Sequence, residues 1–388
     1  MEKKVVLVLD ANQRSALAST RSLGSRPDTT VITCDCTSEA LAGNSTYSSF
    51  YLSCPDPKHD VDDFVLWIIE TIEKYNITCL FPVTEISSRT LLAHREKIKC
   101  QLPFASLETV VSISNKNELM KLAELNNVPI PATSYYDNAH SLDINTLEYP
   151  IVIKPSLSRV YVENKWIETK VHVVQNSAQL SHVLSHSHYL FTSPFMTQEF
   201  IEGHGAGIFT YYQHGSVKAF FAHKRLREKP PRGGVSVLSE STEVDEKMRD
   251  FASRILNSVN WHGAAMIEYR VARDGTPHLM EINTRLWGSL QLAIDAGVDF
   301  PSLLLDGEDG KELTPITNYK KRIQLRWLLG DLDNLYLTLK DPVFSPNEKL
   351  KRVLQFFTPK IFNRKHEVNR LSDLKPFLYE LKKYVGIS

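Results

Sequence analysis

At 388 residues the chain is long enough for two or three domains and a sizeable core, so neither disulfides nor a structural metal is needed to hold it together. Lysine plus arginine equals aspartate plus glutamate, 45 of each, which leaves no global field to draw in nucleic acid or an anionic membrane. The five cysteines, Cys34, Cys36, Cys54, Cys79 and Cys100, are odd in number and lack CxxC pairing, which argues against a zinc site or disulfide framework and makes a reduced, cytoplasmic setting the expectation.

The opening "KVVLVLD" reads as a first strand and not as a signal sequence, because Asp10 interrupts the apolar run too early. No apolar stretch is long enough to span a bilayer, so no membrane partner is expected. Alternating apolar runs and helical patterns then predict a doubly wound parallel α/β unit over residues 1–112. Its first turn, "DANQRS", has no glycine to admit a pyrophosphate, so no dinucleotide is expected there. Ligand crevices in such sheets lie at strand C-termini. Thr84 and Glu85 are therefore candidates for substrate contact, with a helix N-cap and first turn as the equal alternative.

A second, α+β unit is predicted over 113–310, in two lobes of about 113–190 and 191–310. Its strand "YPIVIKPS" ends on Lys154, a charge that seldom closes an apolar strand without a partner. The basic stretch "HKRLREKPPR" gathers Lys224, Arg225, Arg227, Lys229 and Arg232 into a local anion site or a solvated loop. His182, His186 and His188 lack an accompanying carboxylate or cysteine and are rejected as a metal site. Residues 311–388 form a third segment whose role the sequence does not show.

"AAMIEYRVARDGTPHLMEIN" alternates around an Asp-Gly pair and predicts a hairpin. With Asp274 and Gly275 as a two-residue turn, Glu268 falls opposite Glu281 and Met266 opposite Asn283, which puts Glu268, Glu281 and Asn283 on one face. Facing carboxylates repel, and a cation removes the repulsion. Oxygen ligands without His or Cys suit Mg²⁺ or Mn²⁺, whose shell is completed by phosphate and water. From the hairpin alone, a solvent-facing pair neutralised by Arg270 and Arg285 is equally acceptable.

The order of motifs, "VIKPS", "QEFIEG", a basic loop, a strand glutamate and then "EINTR", resembles the ATP-grasp ligases over about residues 113–305. "FAHKRLREKPPRGGVSV" with "EINTRLWGSLQLAIDAGVDFP" resembles their predicted carboxylate-amine ligase branch. The resemblance implies an ATP-grasp fold, ATP with Mg²⁺ or Mn²⁺, and small-molecule carboxylate and amine substrates joined through an acyl phosphate with release of ADP and phosphate. A homodimer is allowed by it. It assigns Lys154 and Lys116 to the phosphates, and Glu199, Phe200 and Ile201 to the adenine, with Glu202 standing in for the ribose contact. Ser156, Ser158 and Arg159 replace a glycine-rich phosphate loop. Glu268, Glu281 and Asn283 hold the metal. Arg285 has the main catalytic role, Lys224 and Arg225 assist it, and Trp287, Gly288 and Ser289 shape the acceptor pocket. A carboxylase, a thiol-acceptor ligase or a non-catalytic nucleotide-binding protein are the alternatives on the same fold.

Overall fold

The computed structural model describes residues 3–162, 165–358 and 363–386, and side chains for all of these except 145 and 160–166. Glu163 and Asn164 of the expected phosphate loop thus lie outside the described residues. The first unit runs β1 (Lys4–Val8), α1 (Arg14–Gly24), β2 (Thr29–Asp35), β3 (Phe50–Ser53), α2 (Val61–Tyr75), β4 (Cys79–Phe81) and α3 (Glu85–Ala93). Its sheet has the order β3-β2-β1-β4 with every pair parallel. Val6 and Val8 pack with Leu17 of α1, whereas Leu7 packs with Phe64 and Ile68 of α2. Successive residues of one strand thus bury opposite faces, as a doubly wound sheet requires. Strand order reverses at β1, where Asp10 sits at φ 56°. Its carboxylate accepts from the Val83 and Thr84 amides and from the Thr84 and Ser87 hydroxyls.

Two short helices, α4 (Leu107–Ser114) and α5 (Lys116–Leu125), meet at Asn115, whose side chain caps α5 by accepting from the Asn117 and Glu118 amides. β5 (Thr133–Tyr136), β6 (Ile151–Pro155), β7 (Arg159–Val162), β8 (Lys165–Glu168), β9 (His172–Val174), α6 (Ser177–His186) and β10 (Phe195–Glu199) follow. β5-β10-β6-β9 form one antiparallel sheet and β7-β8 a separate ribbon. Because β10 pairs with β6 and β5, the first lobe continues to Glu199 and does not end at 190 as the sequence suggested.

The second lobe adds β11 (Gly203–Gln213), β12 (Ser216–Lys229), β13 (Val235–Thr242), α7 (Glu246–Ser258), β14 (Gly263–Ala272), β15 (Pro277–Asn283), α8 (Leu290–Ala296) and α9 (Phe300–Glu308). The remaining elements are β16 (Gln324–Arg326), α10 (Leu328–Lys340), α11 (Pro346–Phe357), β17 (Arg364–His366) and α12 (Lys375–Tyr384). The large sheet has the order β15-β14-β11-β12-β13-β16-β17. The third segment adds β16 and β17 to the sheet of the second lobe.

Candidate functional site

β14 and β15 bring Glu268 opposite Glu281 and Met266 opposite Asn283, the pairing expected from the sequence, but by a different route. The turn is not two residues long. The Ala272 amide donates to the Thr276 carbonyl and the Gly275 amide to the Ala272 carbonyl, so Arg273, Asp274 and Gly275 form a three-residue loop with Gly275 at φ 84°. The offset this introduces is cancelled by a bulge that leaves Met280 as the extra residue. The Met280 sulfur lies 3.3 Å from the Lys154 ammonium.

The two carboxylates share their setting with the Asn283 amide, which donates to Glu281 Oε1 at 3.2 Å and to Glu268 Oε1 at 3.5 Å. Lys116 Nζ lies 3.2 Å from Glu281 Oε2 and 3.1 Å from Ser158 Oγ, and Arg225 Nη2 lies 3.6 Å from Glu268 Oε1. Burial, and then Glu281 opposite, push the Glu268 carboxyl up to about 7, against the pull of Arg225, Arg285 and Lys116. For Glu281 burial acts upward, but Lys116, the Asn283 amide and Lys154 outweigh it and hold the group below the ordinary carboxylate value. Burial, reinforced by Lys116, pulls Lys154 down to about 8, although Glu281 and Glu268 favour its charged form. Two acids with opposed shifts beside two buried lysines form a site whose charges are balanced only in part.

Among the described residues no group of three or more His, Cys, Asp or Glu side chains is arranged to hold a metal unaided. Two facing carboxylates and an amide oxygen nevertheless suit Mg²⁺, which commonly takes one or two carboxylates and completes its shell with phosphate and water. A cavity of about 340 Å³ opens beside the pair, lined by Arg225, Glu268, Glu281, Asn283, Arg285 and Trp287, among others. A smaller one joins Lys116, Ser158, Glu281 and Arg285 to Glu85. Glu85 therefore reaches the site, although it also pairs with Arg89, while Thr84 serves as the N-cap of α3. A wider depression of about 690 Å³ lies at the opposite, N-terminal end of β1 and includes neither acid.

Not every residue expected at the site arrives there. Lys224 stands directly across from Glu240 in the β12–β13 ladder and pairs with it at 2.8 Å, on the sheet face opposite Arg225 and the acid pair. Arg227 is drawn into the C-terminal segment by Asp331, Lys229 pairs with Asp333, and Arg232 pairs with Asp341. Glu202 is paired on the surface with Arg273, itself 82% exposed. The Glu199 amide donates to the Ala132 carbonyl, and the Ile201 carbonyl accepts from Arg270 Nε, so neither group is free to read an adenine. The Ile201 amide keeps no partner among the described residues. Phe200 lies under the Arg270 guanidinium, 5.9 Å from it.

Two residues passed over in the sequence line the cavity. His223 is buried with its ring stacked on Phe209, 4.7 Å between centroids, and its Nε2 lies 2.8 Å from Ser289 Oγ; burial, and then Arg225, hold it down to about 3. Its position two before Arg225 on one strand was the available signal. Arg14 comes from the "DANQRS" turn, where no dinucleotide was expected and no ligand contact was assigned.

Residues 192–330 match the family profile described as ATP-grasp in the biosynthetic pathway with Ter operon. No curated protein sequence matches the chain. Solved structures of similar fold include an L-amino acid ligase from Bacillus licheniformis, 17% identical over 79% of this chain and 75% of that one, TM-score 0.59. A biotin carboxylase–β,γ-ATP complex from Campylobacter jejuni is 17% identical over 83% of this chain and 74% of that one, TM-score 0.63. An N5-carboxyaminoimidazole synthetase from Staphylococcus aureus complexed with ADP is 11% identical over 84% and 82%, TM-score 0.62. With two lobes meeting at paired strand glutamates, a lysine closing an apolar strand and these likenesses together, the chain has the ATP-grasp fold.

Proposed function

We propose that the protein is an ATP-dependent ligase that joins a carboxylate to an amine, activating the carboxylate as an acyl phosphate and releasing ADP and phosphate. The observation that carries this reading is the half-buried Glu268–Glu281 pair, flanked by Lys116 and Lys154 and facing Arg225 and Arg285 across one cavity. Phosphoryl transfer asks chiefly for positioning and neutralisation of charge, and this inventory supplies both. Glu268, Glu281 and Asn283 would hold Mg²⁺ or Mn²⁺, which when bound supplies charge neutralisation at the phosphate oxygens.

Lys154 holds the phosphate chain as a point charge, and Lys116, fixed between Ser158 and Glu281, holds it from the second side. Arg285 presents a planar fork to the oxygens on which charge develops. Arg225 sits close enough to Glu268 to share that task. Lys224 has no direct part, since it faces away. The Ile201 amide remains the main-chain donor available to the adenine edge. His223, bonded to Ser289, adds no charge of its own to the acceptor side of the cavity.

The deciding experiment follows ADP and AMP release over a panel of carboxylates and amines, using ¹⁸O-labelled carboxylate. ADP should form and one labelled oxygen should pass to inorganic phosphate. Formation of AMP with pyrophosphate would overturn the acyl phosphate route, and formation of carboxylated or thioester product would replace the amine acceptor. Arg285→Lys should lower kcat about 10²-fold or more while changing the KM for ATP little, because its fork serves the transition state.

A further inference from the structure

The cavity beside the acid pair carries one more guanidinium than transfer of a single phosphoryl group uses. Arg225 and Arg285 act on Glu268, and Arg14 lines the same cavity alongside Trp287, Gly288 and Ser289. Arg14 enters from the first helix of the parallel-sheet unit. Its Nη1 donates to Glu367 Oε2 at 2.5 Å, its guanidinium lies 4.1 Å from the centroid of the Trp327 ring, and its side chain is 14% exposed. Two groups of the C-terminal segment therefore hold one side chain of the first unit.

The other edge of that guanidinium is open. Nε and Nη2 have no hydrogen-bond partner among the described residues. A Cβ built on Gly288 would stand 3.1 Å from Nη2. Gly288 is not among the glycines at positive φ, so the backbone there does not require glycine. What the missing side chain provides is access from the cavity to the Nε–Nη2 edge. That edge can hold a carboxylate with two parallel hydrogen bonds.

Building on the ligase reading, we propose that Arg14 is a specificity-determining residue that binds a second carboxylate of the substrate whose first carboxylate is activated at the acid pair. The substrate class is then the dicarboxylic acids. A guanidinium already sharing its charge with Glu367 matches a singly charged carboxylate. A phosphate dianion would meet only this half-neutralised partner, so a phosphorylated carboxylic acid is the weaker match to the same edge.

The test is equilibrium binding by titration calorimetry to the full chain saturated with Mg²⁺ and ADP. The probes are succinate, glutarate and adipate, the monoamide of each, and the phosphono analogue of each with one carboxylate replaced. At least one diacid should bind about tenfold or more tightly than its monoamide, the scale of one charge-assisted bidentate contact. Arg14→Gln should abolish that difference by weakening the diacid alone, and Gly288→Val should do the same by covering the edge. The assignment is overturned if no probe binds, if monoamides bind as well as diacids, if Arg14→Gln weakens both equally, or if the phosphono analogues bind best. Nucleotide binding separates the two levels. A protein that does not bind Mg²⁺-ADP at all removes the ligase reading with it, whereas one that binds the nucleotide in a Lys154-dependent way but shows no diacid preference removes only the role of Arg14.

Discussion

Glu268 is made unusual by its neighbours, and its titration gives a stability signature. Its folded-state value, about 7, lies above the ordinary 4.5, so the native protein holds a proton that the unfolded chain releases. This contribution to stability is complete below about pH 4.5 and is lost as pH rises through about 7. In EDTA, urea unfolding followed from about pH 5 to 8 should show a fall to which this group contributes about 1–3 kcal/mol, and Glu268→Gln should flatten it. Millimolar Mg²⁺ should also reduce the fall in the wild type by favouring the ionised pair. An unchanged slope in the variant would exclude the assigned shift. Lys154 gives a second check at this scale: Lys154→Met should weaken ATP about tenfold or more while adenosine binds as before, since the ammonium acts on phosphate. Equal losses would indicate a packing role. Both residues were legible in the sequence because each is a charge inside an apolar strand. Lys224 misled because proximity in sequence to Arg225 hides that neighbours on a strand face opposite ways. Arg14 and Glu367 were illegible as a pair, since 353 positions separate them.

The β14–β15 hairpin shows how an element can place a site through compensating irregularities. The expected two-residue turn and the observed three-residue loop give the same opposition of Glu268 and Glu281 only because the bulge at Met280 restores the register. Alternation and the Asp-Gly signal revealed the hairpin, but a bulge leaves no mark in a pattern of apolar and polar residues. Gly275 carries the loop at φ 84°, and nothing lies within 4 Å of where a Cβ would be. Gly275→Val should therefore cost about 1–2 kcal/mol through the backbone alone. A lower melting temperature with unchanged ADP affinity is the expected result. Loss of ADP binding at temperatures where the variant is folded would show that the loop itself reaches the nucleotide.

At the scale of the whole molecule, the sequence separated the parallel-sheet unit from the ATP-grasp lobes but not the tie between them. Asp331 is fully buried and receives Arg227, Arg326 and Arg352 at 2.5–2.7 Å, so the C-terminal segment is fastened to β12 through one carboxylate. Asp331→Ala leaves three guanidinium groups clustered without it, and a loss of about 3–5 kcal/mol in urea unfolding is expected. Stability within about 0.5 kcal/mol of the wild type would show that the cluster is solvated in the folded protein. A similar tie closes the molecule on the other side: Arg21 of α1 is buried against the Asp373 carboxylate and the carbonyls of Glu367, Val368 and Asp373. These partners are 352 positions apart for Arg21 and Asp373. At a translation rate of about 5–20 residues per second, Arg21 is made roughly 20–70 s before Asp373. During that interval α1 carries a cation whose buried counterpart has not yet been made.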